Sequence, residues 1–298
     1  MPMKLLFLAC LVTVLSLLTR PVLGLEAVRR SEVIYGRKFG TALTLDVLQP
    51  AETNGYGVVW IVSGGFYSDH ASINPSYCAE LLERGYTIFA VVHGSQPRFS
   101  VLEIAEDIHR SIRWIRHNAA DYGLRADRLG VTGASAGGHL SLTLGTQGGE
   151  GDPTAKDPVN RESSRVQSVA CFFPPTDFEN WSRPGDNQVG IGKVGRAFYG
   201  GFGPRSDTVE SRVEYGPLIS PIQFVSKLTA PTLILHGEAD GLVPIYQAEI
   251  FEKKCQEKGA VCKVVRLPGK DHGWPGIEKD MAQFSDWFDV TLRGISKP

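Results

Sequence analysis

Five cysteines in 298 residues leave little from which to build a metal or disulfide framework. No two cysteines stand at C-x-x-C spacing and no two histidines at the spacing of one helical turn, so a zinc site is not expected. A phosphate-binding glycine loop after the first core strand is also missing. "GDPTAKDP" sets two aspartates near glycine without the regular spacing of a calcium loop, and reads as a turn. No cofactor is expected. An excess of one charge sign is lacking too: 31 basic residues against 32 acidic ones give a net charge of −1, with no like-charge block. Nucleic acid and anionic membrane surfaces are thereby excluded as expected partners. Repeats and low-complexity tracts are absent, and the composition is that of an ordinary globular chain.

The apolar stretch from Leu5 to Leu18 falls short of the ~20 residues that a membrane span needs. Lys4 precedes it, and Gly24 follows at a cleavage position with Val22 two residues earlier. Residues 1–24 therefore read as a signal peptide, with an uncleaved anchor as the alternative. The mature protein, 25–298, is expected to be secreted or periplasmic and free of the membrane. Phe7, where a lipoprotein signal wants an aliphatic residue, argues against lipidation at Cys10. Export gives cysteine pairing a meaning. Cys255 ends an expected helix and Cys262 begins the strand after a turn at Gly259, so a bridge between them is plausible on sequence grounds. Cys78 and Cys171 read as buried small hydrophobes.

What the sequence does contain is an alternating pattern. "SEVIYG" and "ALTLDVLQP" read as an opening antiparallel hairpin. "GVVWIVSGG", "YTIFAVVHG", "RLGVTG", "SVACFFPP", "PTLILHGEAD" and "CKVVRLPG" read as strands. Between them lie expected helices: "PSYCAELLERG", the segment with Ile104, Ile108, Ile112, Ile115 and Ala119, the stretch beyond Ser135, Pro244 to Lys258, and an amphipathic terminal helix. Such alternation predicts an α/β domain with a mostly parallel central sheet of about eight strands and helices on both faces. No linker divides it, so one domain is expected. In such sheets, functional groups gather at the carboxyl ends of the strands.

Three chemically useful residues arrive there. "RLGVTGASAGGHLSL" surrounds Ser135 with Gly133, Ala134, Ala136, Gly137 and Gly138, the composition of a very tight strand-to-helix turn. Asp240 follows one later strand and His272 the next. Gly133-x-Ser135-x-Gly137 matches the nucleophile-elbow motif, and the chain from about Val58 onward resembles the α/β-hydrolases of the esterase/lipase type. The branch it resembles includes acetyl esterases and esterases acting on plant cell-wall polysaccharides. That resemblance implies Ser135 as nucleophile, His272 as general base and Asp240 as the acid that orients it. Asp177, in "FFPPTDF", is the rival acid; "GEADGLVP" resembles the family's acid loop more closely, and Asp177 is expected to cap the next segment. The resemblance also implies an oxyanion hole from the amide of Ala136 and one from the "SGGF" turn, Gly65 or Phe66.

The sequence departs from that pattern at Ser63-Gly64-Gly65-Phe66, where many relatives read His-Gly-Gly-Gly, and at "VVHGSQPRF", where relatives often have Tyr-Arg. Phe66 or Tyr67 is expected to wall an acyl pocket and to favour small acyl groups. His93, His139 and His236 read as hydrogen-bonded structure, while His109 and His117 are expected on the polar face of their helix. Residues 176–216, rich in glycine and aromatics, are expected to form a mobile lid over the site, a disordered surface loop being the bland alternative. The expected function is a secreted serine carboxylesterase acting on small-acyl or carbohydrate-linked esters. One alternative is a prolyl-oligopeptidase-like peptidase, whose added gating domain this sequence is not expected to accommodate. The other is a catalytically silent binding protein of the same fold, disfavoured by the presence of all three triad residues. Sequence alone leaves the oligomeric state open.

Overall fold

A computed structural model of the chain describes residues 27–295; the expected signal peptide lies outside the described residues. Eight strands form one sheet: β1 (Ala27–Lys38), β2 (Thr41–Pro50), β3 (Gly57–Ile61), β4 (Thr87–Val92), β5 (Leu129–Ala134), β6 (Ser168–Phe172), β7 (Thr232–Gly237) and β8 (Cys262–Leu267). Their order is β1-β2-β4-β3-β5-β6-β7-β8. The β1–β2 and β2–β4 pairs are antiparallel, and every later pair is parallel.

The continuous apolar runs follow from burial on both faces. In β4, Phe89 and Val91 join one core cluster while Ile88 joins the other, as the two-residue side-chain period of a strand requires. Helices α2 (Val101–His117), α3 (Ala136–Gln147) and α7 (Tyr246–Lys258) cover the first face, and α1 (Ala79–Glu83) and α8 (Met281–Thr291) the second. In α2, Ile104, Ile108, Ile112 and Ile115 are fully buried at helical spacing. A capping box of Ser100 and Glu103 begins that helix by satisfying two of its free amides.

Several expectations need correction. "PSYCAELLERG" is α-helical only over Ala79–Glu83, because the residues from Pro75 to Cys78 form a tighter 3-10 turn started by the Asn74 side chain. Residues 176–216 are not a bare loop. They fold into α4 (Gly192–Ala197), α5 (Tyr199–Phe202) and the start of α6 (Val209–Leu218), and bury Phe178, Trp181, Val194, Phe202 and Tyr215. His109 is not on an open polar face: the segment after α3 crosses it, and its Nδ1 lies 3.1 Å from Ser164 Oγ. Burial, with Arg113 nearby, lowers its pKa to about 4. The four described cysteines are free thiols, so the expected bridge is not formed. Cys255 and Cys262 nevertheless interact thiol to thiol, which together with burial pushes the Cys262 thiol far up.

Candidate active site

The crowding around Ser135 has a steric cause. A Cβ on Gly133 would lie 2.5 Å from the Gly137 carbonyl, and one on Gly137 would lie 2.5 Å from Ile61 O. On Gly138 it would lie 2.8 Å from Phe172 O. No side chain fits at these three positions, so β5 can pass directly into α3. Ser135 at the corner takes φ 55° and ψ −119°, a strained backbone for a residue with a Cβ. Its amide donates to Phe172 O at 3.0 Å, which ties the corner to the neighbouring strand.

The three residues singled out at strand ends come together. His272 Nε2 lies 2.9 Å from Ser135 Oγ, and His272 Nδ1 lies 2.8 Å from Asp240 Oδ2. The other Asp240 oxygen accepts the amides of Leu242 at 2.9 Å and Val243 at 2.8 Å. Burial works to raise the Asp240 pKa, but hydrogen bonds from His236 and His272, and the charge of His272, outweigh it. The carboxyl is held well below its usual range. Asp271 Oδ1 accepts the amides of His272 and Gly241, fixing the loop that presents the imidazole. Asp177 is elsewhere: its Oδ1 accepts the amides of Glu179 and Asn180, the capping duty expected of it.

Gly64 and Tyr67 exchange backbone hydrogen bonds at 3.0 and 2.9 Å, so Gly65 and Phe66 are the two central residues of a tight turn. Both have positive φ, 54° and 64°, the signature of a primed turn. Gln96, not anticipated from the sequence, holds this turn from one side. Its Nε2 donates to Gly65 O at 2.6 Å and its own amide donates to Phe66 O at 3.2 Å. A peptide's N–H points opposite to its C=O, so the Phe66 amide is directed away from Gln96. Gln96 Oε1 also accepts the amide of Gly201 in the 176–216 segment, at 3.0 Å.

Gly65, Phe66, Ser135 and Ala136 line one small pocket with Phe178, Trp181, Val194 and Phe198, and its free volume is about 10 Å³. The Phe66 ring is 2% exposed and packs edge-on against His139 and Phe198, so it belongs to the core as well as to the pocket wall. Tyr67 does not share that wall. It is 53% exposed and faces a different cavity. Phe173, also unanticipated, sets its ring 4.4 Å from that of His272.

Three further histidines make hydrogen bonds to the backbone. His139 Nε2 donates to Ile219 O at 2.7 Å, and burial lowers its pKa to about 4. His93 Nδ1 lies 2.8 Å from Gly94 O, and burial again lowers its pKa to about 4. His236 Nε2 reaches Val243 O at 2.8 Å and Asp240 Oδ2 at 3.3 Å, so it braces the acid loop. Among the described residues no His/Cys/Asp/Glu group is arranged to hold a metal ion.

Comparison with known proteins adds to the geometry. The family model BD-FAE matches residues 45–255. The esterase LipQ of Mycobacterium tuberculosis is 26% identical over 216 residues, which is 72% of this chain and 49% of that protein. The ethyl acetate hydrolase of Pseudomonas putida is 24% identical over 253 residues, 81% of this chain and 74% of that one. Among solved structures, a truncated form of a carbohydrate esterase from gut microbiota superposes with a TM-score of 0.75 at 26% identity, covering 91% of this chain and 99% of that one. The chain spans about half the length of LipQ.

Proposed function

The chain belongs to the BD-FAE family, and from that premise we propose that it is a serine carboxylesterase working through an acyl-enzyme on Ser135. The observation that carries this reading is the chain of short contacts from Ser135 Oγ through His272 to Asp240. A serine hydroxyl becomes an effective nucleophile when an imidazole takes its proton during attack. His272 Nε2 accepts that proton and then delivers it to the departing alcohol oxygen. Asp240, ionised, keeps the Nδ1 proton in place and stabilises the imidazolium.

Charge on the tetrahedral intermediate is met by the amides of Ala136 and of Gly65 or Phe66, each donor worth ~3–4 kcal/mol. Water then repeats the sequence on the acyl-enzyme. The roughly water-sized pocket beside Ser135 supports small acyl groups, acetyl above all. The ethyl acetate hydrolase and the carbohydrate esterase among the relatives support the same choice and extend it to carbohydrate-linked esters. We further propose export by the leader at 1–24, tested by whether the exported protein begins near Leu25.

Incubation with a fluorophosphonate tests the central assignment. Wild type should lose p-nitrophenyl acetate hydrolysis in step with labelling of the peptide that holds Ser135. Full inactivation with the label on another residue would remove Ser135 from the role.

A further inference from the structure

Gln96 holds the turn of Gly65 and Phe66, and the loop that carries Gln96 is itself held from the first strand. Asp107, in α2, has a buried carboxylate whose Oδ2 accepts the amide of Gly94 at 3.0 Å. Its Oδ1 lies 2.6 Å from Nζ of Lys38, the last residue of β1. Lys38 Nζ also donates to Glu103 O at 2.9 Å and sits 4.3 Å from the centroid of the Phe99 ring. Burial raises the Asp107 pKa, while the Lys38 ammonium and the Gly94 amide work against that rise. The backbone at Gly94 is packed closely: a Cβ there would lie 2.5 Å from Phe99 Cδ2 and 3.0 Å from Asp107 Oδ2. Next along the chain, Ser95 Oγ donates to Ser68 O at 3.0 Å and accepts the Ser68 amide at 2.8 Å. Gln96 follows, with its bonds to Gly65 O and Phe66 O.

We propose that Lys38 and Asp107 are positioning residues for ester hydrolysis: their ion pair seats the loop of residues 93–96 and, through Gln96, sets the turn beside Ser135. The inference rests on the reading of Ser135 as nucleophile and of that turn as a donor to the intermediate. Neither side chain lines the small pocket at Ser135, so both act on the reacting atoms through the loop. An ionised carboxylate holds an amide about twice as strongly as a neutral acceptor does. Lys38 favours that form of Asp107 in a place where burial favours the neutral one. With the ammonium gone, the carboxyl takes up a proton or turns away, and Gly94 is held less closely. Gln96 sits two residues on, so a small shift at Gly94 is passed to its bond with Gly65 O. A slightly displaced donor stabilises the oxyanion less while substrate binding changes little, so the loss falls on kcat. The antiparallel β1–β2 hairpin, which contributes nothing to the triad, thereby takes part in catalysis. Its tip is tied to the same stretch a second time, as Arg98 donates to Phe39 O at 2.7 Å.

Steady-state kinetics on p-nitrophenyl acetate test this with Lys38→Met, Gln96→Ala and the double variant, all assayed below their Tm. Lys38→Met keeps the apolar stem and removes the charge. It should lower kcat about fivefold or more, with KM within about twofold of wild type. In the Gln96→Ala background the same substitution should cost less than about twofold more, because residues that act through one another are not additive. Asp107→Asn removes the charge from the other partner and should repeat both results; it decides the matter where Lys38→Met does not fold. A buried ion pair that merely stabilised the fold would lower Tm and leave kcat alone. An unchanged kcat, a loss carried by KM, or losses that multiply in the double variant overturn the proposal. Wild-type activity of Ser135→Ala would instead overturn the nucleophile assignment, a separate result.

Discussion

A Cβ placed on Gly65 would come within 2.3 Å of Cε1 of Phe198, so the Phe198 ring rests directly on the turn beside Ser135. The small pocket therefore has a roof, and the roof comes from the 176–216 segment. If this pocket takes the acyl group as proposed, longer acyl chains must displace the roof at a cost of ~1–3 kcal/mol, or roughly 5- to 150-fold in rate. On p-nitrophenyl esters, kcat/KM should fall steadily from acetyl to octanoyl. Phe198→Ala should flatten the decline. Phe66→Ala should chiefly lower Tm, since truncating a buried aromatic costs about 3–5 kcal/mol. A wild-type maximum at octanoyl would contradict the small-acyl reading.

Ser135→Ala should reduce ester hydrolysis by several orders of magnitude and leave Tm almost unchanged, because alanine meets the same backbone constraint. Ser135→Gly should be equally inactive but more stable by ~1 kcal/mol, as glycine relieves the positive-φ corner. Thermal melts of the two inactive variants decide this. Equal Tm values would show that the corner holds no strain.

Asp240→Asn should lower kcat by ~10⁴, since an amide no longer holds the productive tautomer of His272. Asp177→Asn should leave kcat within a small factor and cost ~1 kcal/mol of stability through its weakened cap. Side-by-side kinetics give the answer, and the reverse ranking would move the acid to Asp177.

The depressed Asp240 pKa makes one contribution to stability depend on pH. A group whose folded pKa lies below its unfolded value, ~3.9, stabilises the fold fully above that value and loses the contribution as pH falls through the folded one. The stability gap between wild type and Asp240→Asn should therefore close as pH drops below ~4. Urea titrations across that range measure it, and a gap that widens there would mean that Asp240 is not held ionised.

Gln96→Ala should lower kcat by roughly 10- to 100-fold with little change in KM, because the turn loses the side-chain bond to Gly65 O and keeps only the main-chain bond to Phe66 O. A matching rise in KM with kcat intact would assign Gln96 to substrate binding instead.

The elements most legible in the sequence are those whose signal is local. Ile104, Ile108, Ile112 and Ile115 announce α2 by spacing, and the doubly buried strands announce the parallel sheet by their unbroken apolar runs. The small residues around Ser135 encode the corner because each is confined by a backbone atom close by in space. Gln96 and Phe173 escape such reading. Their partners lie 31 and 99 residues away, in contacts that only the assembled strand ends create. His109 misleads for a related reason: spacing along α2 cannot show that the segment carrying Ser164 crosses over it. The short helices of 176–216 are hidden by their glycines, which lower helix propensity while the packing of Phe178, Trp181 and Phe202 restores order.

Gln96 grips the catalytic turn and Gly201 with opposite ends of one side-chain amide. Lifting the segment around Gly201 pulls on that amide and slackens its hold on Gly65. If the turn stabilises the intermediate as proposed, an ill-fitting ester that wedged the segment upward would be bound beside a turn held less firmly at Gly65. Such a misfit is penalised in turnover after it has already bound, so it should behave as a slow substrate and a competent inhibitor at once. On the proposed reading, one side-chain amide thus ties the fit of the 176–216 segment to the firmness of the turn beside Ser135.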